Sequence, residues 1–163
     1  MNAETAVGTP ASSQSVVDAV LAASRVLVAV AARSLAEVGE DVTLPQYRAL
    51  VVLASQGPQR VGDLAEALEV TPPTATRMCD RLVRKGLVRR RASREDRREV
   101  RVTLAPAGQE LVVEVTRRRR REIARILSTI PAADQAVMVE LFGKLAAAAG
   151  ETPDRDWAAG WEL

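Results

Sequence analysis

Basic side chains are concentrated in one part of this chain, and they are the groups best suited to chemistry. Between positions 71 and 104 the sequence has eleven Lys and Arg against four Asp and Glu, a net charge of +7, while the remaining residues carry −5. Guanidinium and ammonium groups bind phosphate oxygens, and a guanidinium can also donate two hydrogen bonds to guanine. A basic block on a mildly acidic body predicts a polyanionic partner.

The residue types of this chain offer few candidates for catalysis or for metal binding. The chain has no His and one Cys, so Ser-His-Asp and Cys-His catalytic sets are impossible and a structural zinc site lacks ligands. No paired-carboxylate motif stands out. The sequence therefore predicts no enzyme, no cofactor and no metal. A disulfide within the chain is also impossible, which fits a reducing cytoplasm.

Both ends of the chain are predicted to lie outside the folded domain. Residues 1–14 are small and polar, without a signal-peptide pattern, and predict a disordered tail. Residues 150–163 are acidic and predict a loose tail whose two Trp side chains dock on the body. No apolar run approaches the roughly 18 residues of a membrane span, so we expect no membrane and a cytoplasmic location.

The first half of the basic block is a predicted helix over 72–85 whose two ends are marked in the sequence. Thr71 is a strong N-cap candidate before a Pro, and Gly86 is a good C-cap after two cations. A buried stripe at helical spacing consists of Ala75, Met78, Cys79, Leu82 and Val83. The opposite face holds Pro73, Arg77, Asp80 and Arg84, flanked by Thr74, Thr76 and Arg81.

The order of side chains along this opposite face suits the major groove of duplex DNA. Small residues at the N-terminal end allow close approach to base edges and phosphates, and Arg77 can reach a guanine. The alternative is a charged face that meets only solvent.

A hairpin follows, with strands predicted at 87–91 and 100–104 from period-two alternation. The Arg-rich tip between the strands has no apolar anchor. Such a tip can enter the minor groove, where an Arg meets enhanced negative potential. Asp96 would be repelled by DNA unless it holds a neighbour, so we expect it to orient Arg98 through a charge-assisted pair.

Further helices precede this block. A helix over 15–38 has apolar and small residues on most sides, which fits either a core helix or an oligomer interface. Thr43 and Gln46 fit a capping box for a second helix, which ends before Pro58. A short helix over 61–68 then leads into the basic one.

Two more helices are predicted after the hairpin. The first spans 106–129 and includes five consecutive arginines at 117–121. We expect these to be solvated and paired with Glu114 and Glu122, and phosphate contact is the alternative. The last helix, after Pro131, is amphipathic.

The predicted fold class is therefore mainly α with a small β-hairpin wing. The segments LAEALEVTPPTATRMCDRLVRKGLV and DRREVRVTLAPAG, in this order of helices and hairpin, closely resemble the MarR family of winged helix-turn-helix regulators. The resemblance covers about residues 16–149. It rests on Leu64-Ala65, the capped basic helix, Gly86-Leu87-Val88 and the Asp96-x-Arg98 signature.

The resemblance implies a winged helix-turn-helix DNA-binding lobe over 43–105 and dimerisation helices over 15–42 and 106–149. It implies a homodimer on a pseudo-palindromic operator, with the basic helix in the major groove and the wing in the minor groove. Members usually act as repressors and some activate. Because they bind DNA, we expect this protein to be nucleoid-associated when it is bound to its operator. The expected DNA-binding residues are Thr71, Pro73, Thr74, Thr76, Arg77, Arg81, Arg94, Asp96, Arg97 and Arg98.

The family also commonly binds a small phenolic or other aromatic effector, between the dimerisation helices and the lobe, that releases DNA. Tyr47 and Arg48 are the residues expected at that site. The alternative function is a winged-helix module that binds an acidic protein, without direct ligand sensing.

Three features of the sequence depart from the family pattern. Ser93 and Arg94 replace an Asp-Pro pair in the wing, which makes Arg94 a candidate minor-groove residue. Ala105 replaces a Thr at the start of the helix after the wing, so an N-cap worth about 0.5–2 kcal/mol is lost. Cys79 lies on the buried stripe, whereas peroxide-sensing members use a Cys in the first helix, so we expect it to pack.

Overall fold

The computed structural model of the protein describes residues 12–38, 41–92 and 99–151. Within these ranges six helices and one hairpin follow one another in the order expected from the sequence. Their bounds are α1 Ser13–Ala36, α2 Leu44–Gln56, α3 Val61–Ala67, α4 Pro72–Arg84, β1 Val88–Ala92, β2 Val100–Leu104, α5 Pro106–Leu127 and α6 Ala132–Ala148. The predicted class, mainly α with a small hairpin, is confirmed.

Local sequence signals explain where α2 begins and where α2 and α4 end. Thr43 Oγ1 accepts a hydrogen bond from the Gln46 N–H (3.4 Å), and Gln46 Oε1 accepts one from the Thr43 N–H (3.2 Å), so the predicted capping box is confirmed. Gly57 (φ 75°) follows α2 and Gly86 (φ 70°) follows α4, both in the left-handed region that favours glycine.

The bounds of α1 differ from the prediction at both ends. Ser12 caps the helix, because its Oγ accepts a hydrogen bond from the Ser15 N–H at 3.2 Å. The helix therefore begins at Ser13, two residues before its predicted start. It ends at Ala36, and α5 likewise ends two residues earlier than predicted.

The hairpin begins one residue later than predicted, because Leu87 belongs to the turn after α4. The Leu87 N–H donates to the Leu82 carbonyl at 3.0 Å, and the Leu87 carbonyl accepts from the Ala105 N–H at 3.0 Å. β1 and β2 then pair antiparallel, with Val88 opposite Leu104. This turn fixes the base of the wing to the end of α4.

The wing is also joined to the segment before α3. Gln59 forms a bridge with Val102 of β2, with the Gln59 N–H donating at 3.0 Å and the Val102 N–H donating at 2.7 Å. Since both backbone groups of Val102 are used here, β2 has a partner on each side. The hairpin is therefore a two-stranded sheet that is tied to the segment before α3 by one bridge.

The core is centred on α2 and reaches α3, α4, the wing base and the first half of α5. Its largest fully buried side chains are Leu50, Leu64, Leu82, Val30, Val88, Val102, Val112, Val115 and Cys79. Burial of such side chains contributes about 1.5–3 kcal/mol each. The core thus holds α4 and the wing in a fixed relation.

Two helices leave most of their apolar side chains outside this core. α1 buries Val30, Ser34 and Leu35 near its C-terminal end, and α6 buries none of its side chains. The exposed apolar residues of these helices are Val16, Val17, Val20, Leu21, Val26, Leu27, Val28, Val137, Val139, Leu141, Phe142 and Leu145. The C-terminal part of α1 is therefore a core helix, and the rest of α1 presents an open apolar surface.

The length and composition of α1 correct one expectation. The helix Ser13–Ala36 has 24 residues and contains an 18-residue window with a mean hydropathy of 1.9, so it is long and apolar enough to cross a membrane, although no apolar run of that kind was expected. Scattered Ser and charged residues interrupt the apolar run of this helix, but the many Val, Leu and Ala residues keep the mean hydropathy of the window high. In the fold, α1 packs against α5, where Arg33 forms an ion pair with Glu122.

Candidate nucleic-acid interface

α4 is anchored by one narrow apolar stripe. Ala75, Cys79 and Leu82 are fully buried, and Met78 is half-buried against the same core. Val83 is 37% exposed, so its predicted place in the buried stripe is wrong. The helix packs against α3 and β1. These two elements cover too little of the helix surface to bury all five residues of the predicted stripe.

Cys79 is enclosed by this packing. Its side chain is fully buried, and burial raises the pKa of the thiol above its ordinary value. A neutral buried thiol is a small apolar group and a poor nucleophile. The position fits the packing role expected from the sequence.

The side of α4 away from the core carries the residues expected to contact DNA. The exposed ones are Thr71, Pro73, Thr76, Arg77 and Arg81, and Thr74 is half-buried. Thr71 is the N-cap residue, as predicted, but its hydroxyl lies 2.9 Å from the Thr74 hydroxyl and makes no capping bond to the backbone. The Thr76 hydroxyl donates to the Pro72 carbonyl at 2.9 Å. Whether these residues contact DNA stays a prediction.

The wing strand β1 adds more positive charge beside α4. Arg89, Arg90 and Arg91 are exposed, and Arg90 donates to the Asp80 carboxylate at 2.6 Å. This ion pair joins the wing to α4, whereas the sequence pattern had placed Asp80 only on the face opposite the buried stripe and had not predicted a partner for it. The expected wing residues Arg94, Asp96, Arg97 and Arg98 lie outside the described residues.

A notch separates the start of α2 from the exposed face of α4. Its volume is about 310 Å³, and its lining residues are Thr43, Pro45, Gln46, Thr74, Arg77, Met78 and Arg81. Two guanidinium groups and the N-terminal turn of a helix therefore border one concavity, an arrangement that suits a phosphate. α2 and α4 are separate segments of the sequence, so the sequence pattern did not predict that their residues line one concavity.

A carboxylate clamp holds the second wing strand. Glu99, just before β2, accepts hydrogen bonds from Arg60, the residue before α3, and from Arg101 Nε at 2.6 Å. Its side chain is only 16% exposed. Together with the Gln59 bridge, this contact fixes where the wing leaves the body.

The clamp predicts a pH-dependent contribution to stability. The hydrogen bonds from Arg60 and Arg101 lower the pKa of Glu99 from 4.5 to about 2. Because the folded value lies below the unfolded one, the stabilisation is present above pH 4.5 and is lost as the pH falls toward 2. Glu99→Gln should therefore be less stable than wild type at neutral pH, and the difference should disappear in acid.

Urea unfolding of both proteins at a series of pH values measures this difference. Glu66→Gln, on the exposed side of α3, is the charge-matched control. A gap between Glu99→Gln and wild type that stays the same down to about pH 2 would contradict the assignment of the clamp.

A second concavity lies on the other side of α2, against α1 and α5. Its volume is about 500 Å³, and its lining residues are Ala31, Leu44, Tyr47, Arg48, Val51, Thr116, Arg119, Arg120, Ile123 and Glu151. The Tyr47 hydroxyl lies 3.3 Å from the Thr116 hydroxyl, and Arg48 makes two hydrogen bonds to Glu151. The structure thus brings Tyr47 and Arg48 together in one cavity, and their ligand-binding role stays a prediction.

Part of the arginine run of α5 is paired as expected, and Glu114 is confirmed as a partner. Arg117 and Arg118 both bind Glu114, and Arg118 also binds Glu37 of the α1 end. Glu122 binds Arg33 of α1, which lies outside the run, so its predicted partner is wrong. Two ion pairs, Arg118–Glu37 and Arg33–Glu122, connect α5 with α1 because these helices pack side by side.

These features define a class of protein. The unit consists of the three helices α2, α3 and α4 followed by a basic hairpin, and α4 has an exposed face of Thr and Arg side chains. This arrangement is a winged helix-turn-helix DNA-binding domain. The fold and the basic interface point to transcription regulation.

Comparisons with known proteins agree with this class. The model of the MarR family matches residues 42–100. The HTH-type transcriptional repressor MdtR of Bacillus subtilis is 34% identical over 116 residues, which are 71% of this chain and 74% of MdtR. The crystal structure of RV1404 from Mycobacterium tuberculosis is 39% identical with a TM-score of 0.82, and the match covers 90% of this chain and 100% of RV1404. The chain belongs to the MarR family.

Proposed function

We propose that the protein is a sequence-specific transcriptional repressor that binds a pseudo-palindromic operator in duplex DNA as a homodimer. The observation that carries the proposal is the exposed Thr and Arg face of α4 beside the three exposed arginines of β1. Repression is favoured because the relative MdtR is a transcriptional repressor. Activation would need the same interface and a differently placed operator.

The proposal assigns two sets of residues to two grooves. The major-groove set is Thr71, Pro73, Thr74, Thr76, Arg77 and Arg81, and the wing set is Arg94, Asp96, Arg97 and Arg98. Residues 43–105 then form the DNA-binding lobe, which contains both sets. Short hydroxyl side chains near the start of α4 suit close approach, and the Arg residues suit guanine and phosphate.

The homodimer is supported by the open apolar surfaces of α1 and α6. A single chain with this many exposed large apolar side chains on two helices is expected to bury them against a partner. A second copy explains both helices at once, since a two-fold axis can bring α1 and α6 of each chain together. The same symmetry would present two α4 helices to two half-sites. We therefore assign 15–42 and 106–149 to dimerisation.

A small aromatic effector is the proposed means of release, and the cavity that contains Tyr47 and Arg48 is its proposed site. The cavity lies between α1, α5 and α2, and so between the proposed dimerisation helices and the lobe. A ligand there could change the angle between them. We propose no enzymatic activity, no metal, no membrane contact and a cytoplasmic location, because the basic interface and the dimer account for the main exposed features.

Selection of bound duplexes from a random pool tests the function. The expected result is an enriched sequence with two inverted half-sites, and binding to it should weaken steeply with salt, by about 0.9 in the log–log slope for each phosphate neutralised. A module that binds an acidic protein would enrich no sequence. That outcome would overturn the proposal.

The dimer surface yields a separate prediction for α6. Leu145 is exposed in the single chain, so Leu145→Glu should fold normally, yet in the dimer it would bury an unpaired carboxylate. We expect the dimer dissociation constant to rise by about 100-fold or more. Sedimentation measures the change, and operator affinity should fall with it.

Ala147→Glu is the matched control for this experiment. Ala147 lies two residues further along α6, on the opposite side of the helix at about 100° per residue. The Ala147→Glu variant adds the same charge as Leu145→Glu and should leave the dimer intact. If both variants dissociate equally, the dimer interface does not distinguish the Leu145 side of α6 from the Ala147 side.

A further inference from the structure

Asp80 has an arginine on either side of it along α4, but its carboxylate pairs with an arginine of the wing. Arg77 lies three residues before it and Arg84 four residues after it, which are the spacings that bring side chains together on a helix. Arg84 Nε donates to the main-chain carbonyl of Asp80 at 3.4 Å, whereas the Asp80 carboxylate accepts from Arg90 Nη2 at 2.6 Å. The carboxylate therefore serves β1 and not its own helix.

β1 has few other attachments to the body of the protein. Val88, its first residue, reaches the core, and the four residues after it are exposed. The other ties of the wing hold its base, through the turn at Leu87, or hold β2, through the Gln59 bridge and the Glu99 clamp. Arg90 is thus the residue that fixes the outer part of β1 to α4 within the described part of the wing.

The helix end of this ion pair is held firmly. Asp80 directly follows Cys79 and lies two residues before Leu82, and both of these side chains are fully buried. The backbone at Asp80 cannot shift without disturbing the core. A guanidinium bound to this carboxylate therefore keeps β1 at a fixed distance from the exposed face of α4.

By its charge alone, an acid at this position opposes DNA binding. Asp80 lies on the same side of α4 as Arg77, and its side chain is 46% exposed. A carboxylate near phosphates is repelled by them, and it also neutralises a guanidinium that could bind one. Charge alone therefore predicts that removing the Asp80 carboxylate strengthens DNA binding.

We propose that Asp80 is a positioning residue for DNA binding, which acts through Arg90 to fix the wing relative to α4. The two elements then meet their two grooves as one rigid unit, and the wing loses little freedom when DNA binds. Removing the carboxylate should therefore weaken binding, which is the opposite of what charge alone predicts. This inference rests on the proposed function for its consequence on DNA, and on the ion pair for the position of the wing.

The direction in which Asp80→Asn changes operator affinity tests the inference. We expect binding to weaken by about threefold to tenfold, because an exposed ion pair favours one arrangement by about twofold to threefold and a dimer has two wings. Asp80→Glu keeps the carboxylate and should bind as wild type does. Charge alone would instead give tighter binding, with a log–log salt slope steeper by about 0.9 for each guanidinium released to a phosphate.

Arg90→Gln completes a double-mutant cycle. In this background Asp80→Asn has no guanidinium to release, so it should no longer weaken binding. Glu66→Gln is the matched control for charge, because Glu66 is an exposed acid on α3 of the same lobe, and it should bind the operator at least as tightly as wild type. Urea midpoints should differ little among these variants, since an exposed ion pair adds little to stability.

Three results would each overturn the proposal. The first is an Asp80→Asn protein that binds the operator as tightly as wild type or more tightly. The second is a loss of affinity that persists when Asp80→Asn is made in the Arg90→Gln background. The third is an Asp80→Glu protein that loses as much affinity as Asp80→Asn.

Backbone ¹⁵N relaxation of the free protein separates this inference from the proposed function. The amides of residues 89–92 should have order parameters of about 0.85 in wild type and should fall toward about 0.6 in Asp80→Asn, while those of α4 stay the same. A fall of this kind in a protein that selects no operator would overturn the regulator and leave the attachment of the wing. Operator binding with equal order parameters in both proteins would overturn the positioning role and leave the regulator.

Discussion

Gly108→Ala is expected to destabilise the protein by about 1–3 kcal/mol, although alanine is the better helix former. A Cβ at this position of α5 would lie 2.1 Å from the Leu87 carbonyl oxygen and 3.1 Å from Leu104 Cδ1. The Leu87 carbonyl cannot move freely, because it accepts the hydrogen bond from the Ala105 N–H. Either α5 or the base of the wing must shift.

Chemical denaturation measures the loss, and Gly62→Ala provides the control. Gly62 lies in the first turn of α3, much as Gly108 lies in the first turn of α5, but a Cβ there meets nothing within 4 Å. Gly62→Ala should therefore be neutral or stabilising by up to about 1 kcal/mol. Equal stability changes for the two variants would contradict the close approach at the wing base.

Arg77→Ala is expected to weaken binding to the selected operator by about tenfold to a hundredfold. Arg77 is exposed on α4 and borders the notch beside α2, so its guanidinium can reach a base edge or a phosphate. If it reads a guanine, the preference at one base pair should flatten in a repeated duplex selection. Stability should change little, because the side chain is outside the core.

Arg84→Ala removes the same charge from the other end of the same helix. Arg84 is exposed, and its Nε donates to the Asp80 carbonyl at 3.4 Å. We expect a smaller and uniform loss of affinity across DNA sequences, without a change in preference. If Arg77→Ala and Arg84→Ala behave alike, Arg77 acts only through its charge.

The elements of this fold could be predicted where the signals are local. Thr43 and Gln46 are three residues apart and form a capping box by themselves, and Gly86 ends α4 through its own backbone conformation. The buried stripe of α4 also follows from helical spacing, except at Val83. Its exposure depends on how far α3 and β1 reach around the helix, which spacing does not encode.

The contacts that were missed join residues far apart in the chain. Arg48 and Glu151 are separated by 103 positions, and Arg33 and Glu122 by 89. Many arginines could pair with each acid, so charge alone does not select a partner. The selection comes from the packing of α1 on α5 and from the position of the α6 end, which are properties of the whole fold.

The Gln59–Val102 bridge has a consequence for solubility. It covers the inner side of β2, which leaves β1 as the outer strand of the wing sheet. An exposed strand edge invites pairing with another chain, and consecutive charged side chains oppose such pairing. Arg89, Arg90 and Arg91 occupy this edge. Neutral substitutions at these positions would leave an edge strand that can pair with the same strand of another molecule. The arginines that suit binding to a nucleic acid therefore also oppose aggregation of the unbound protein.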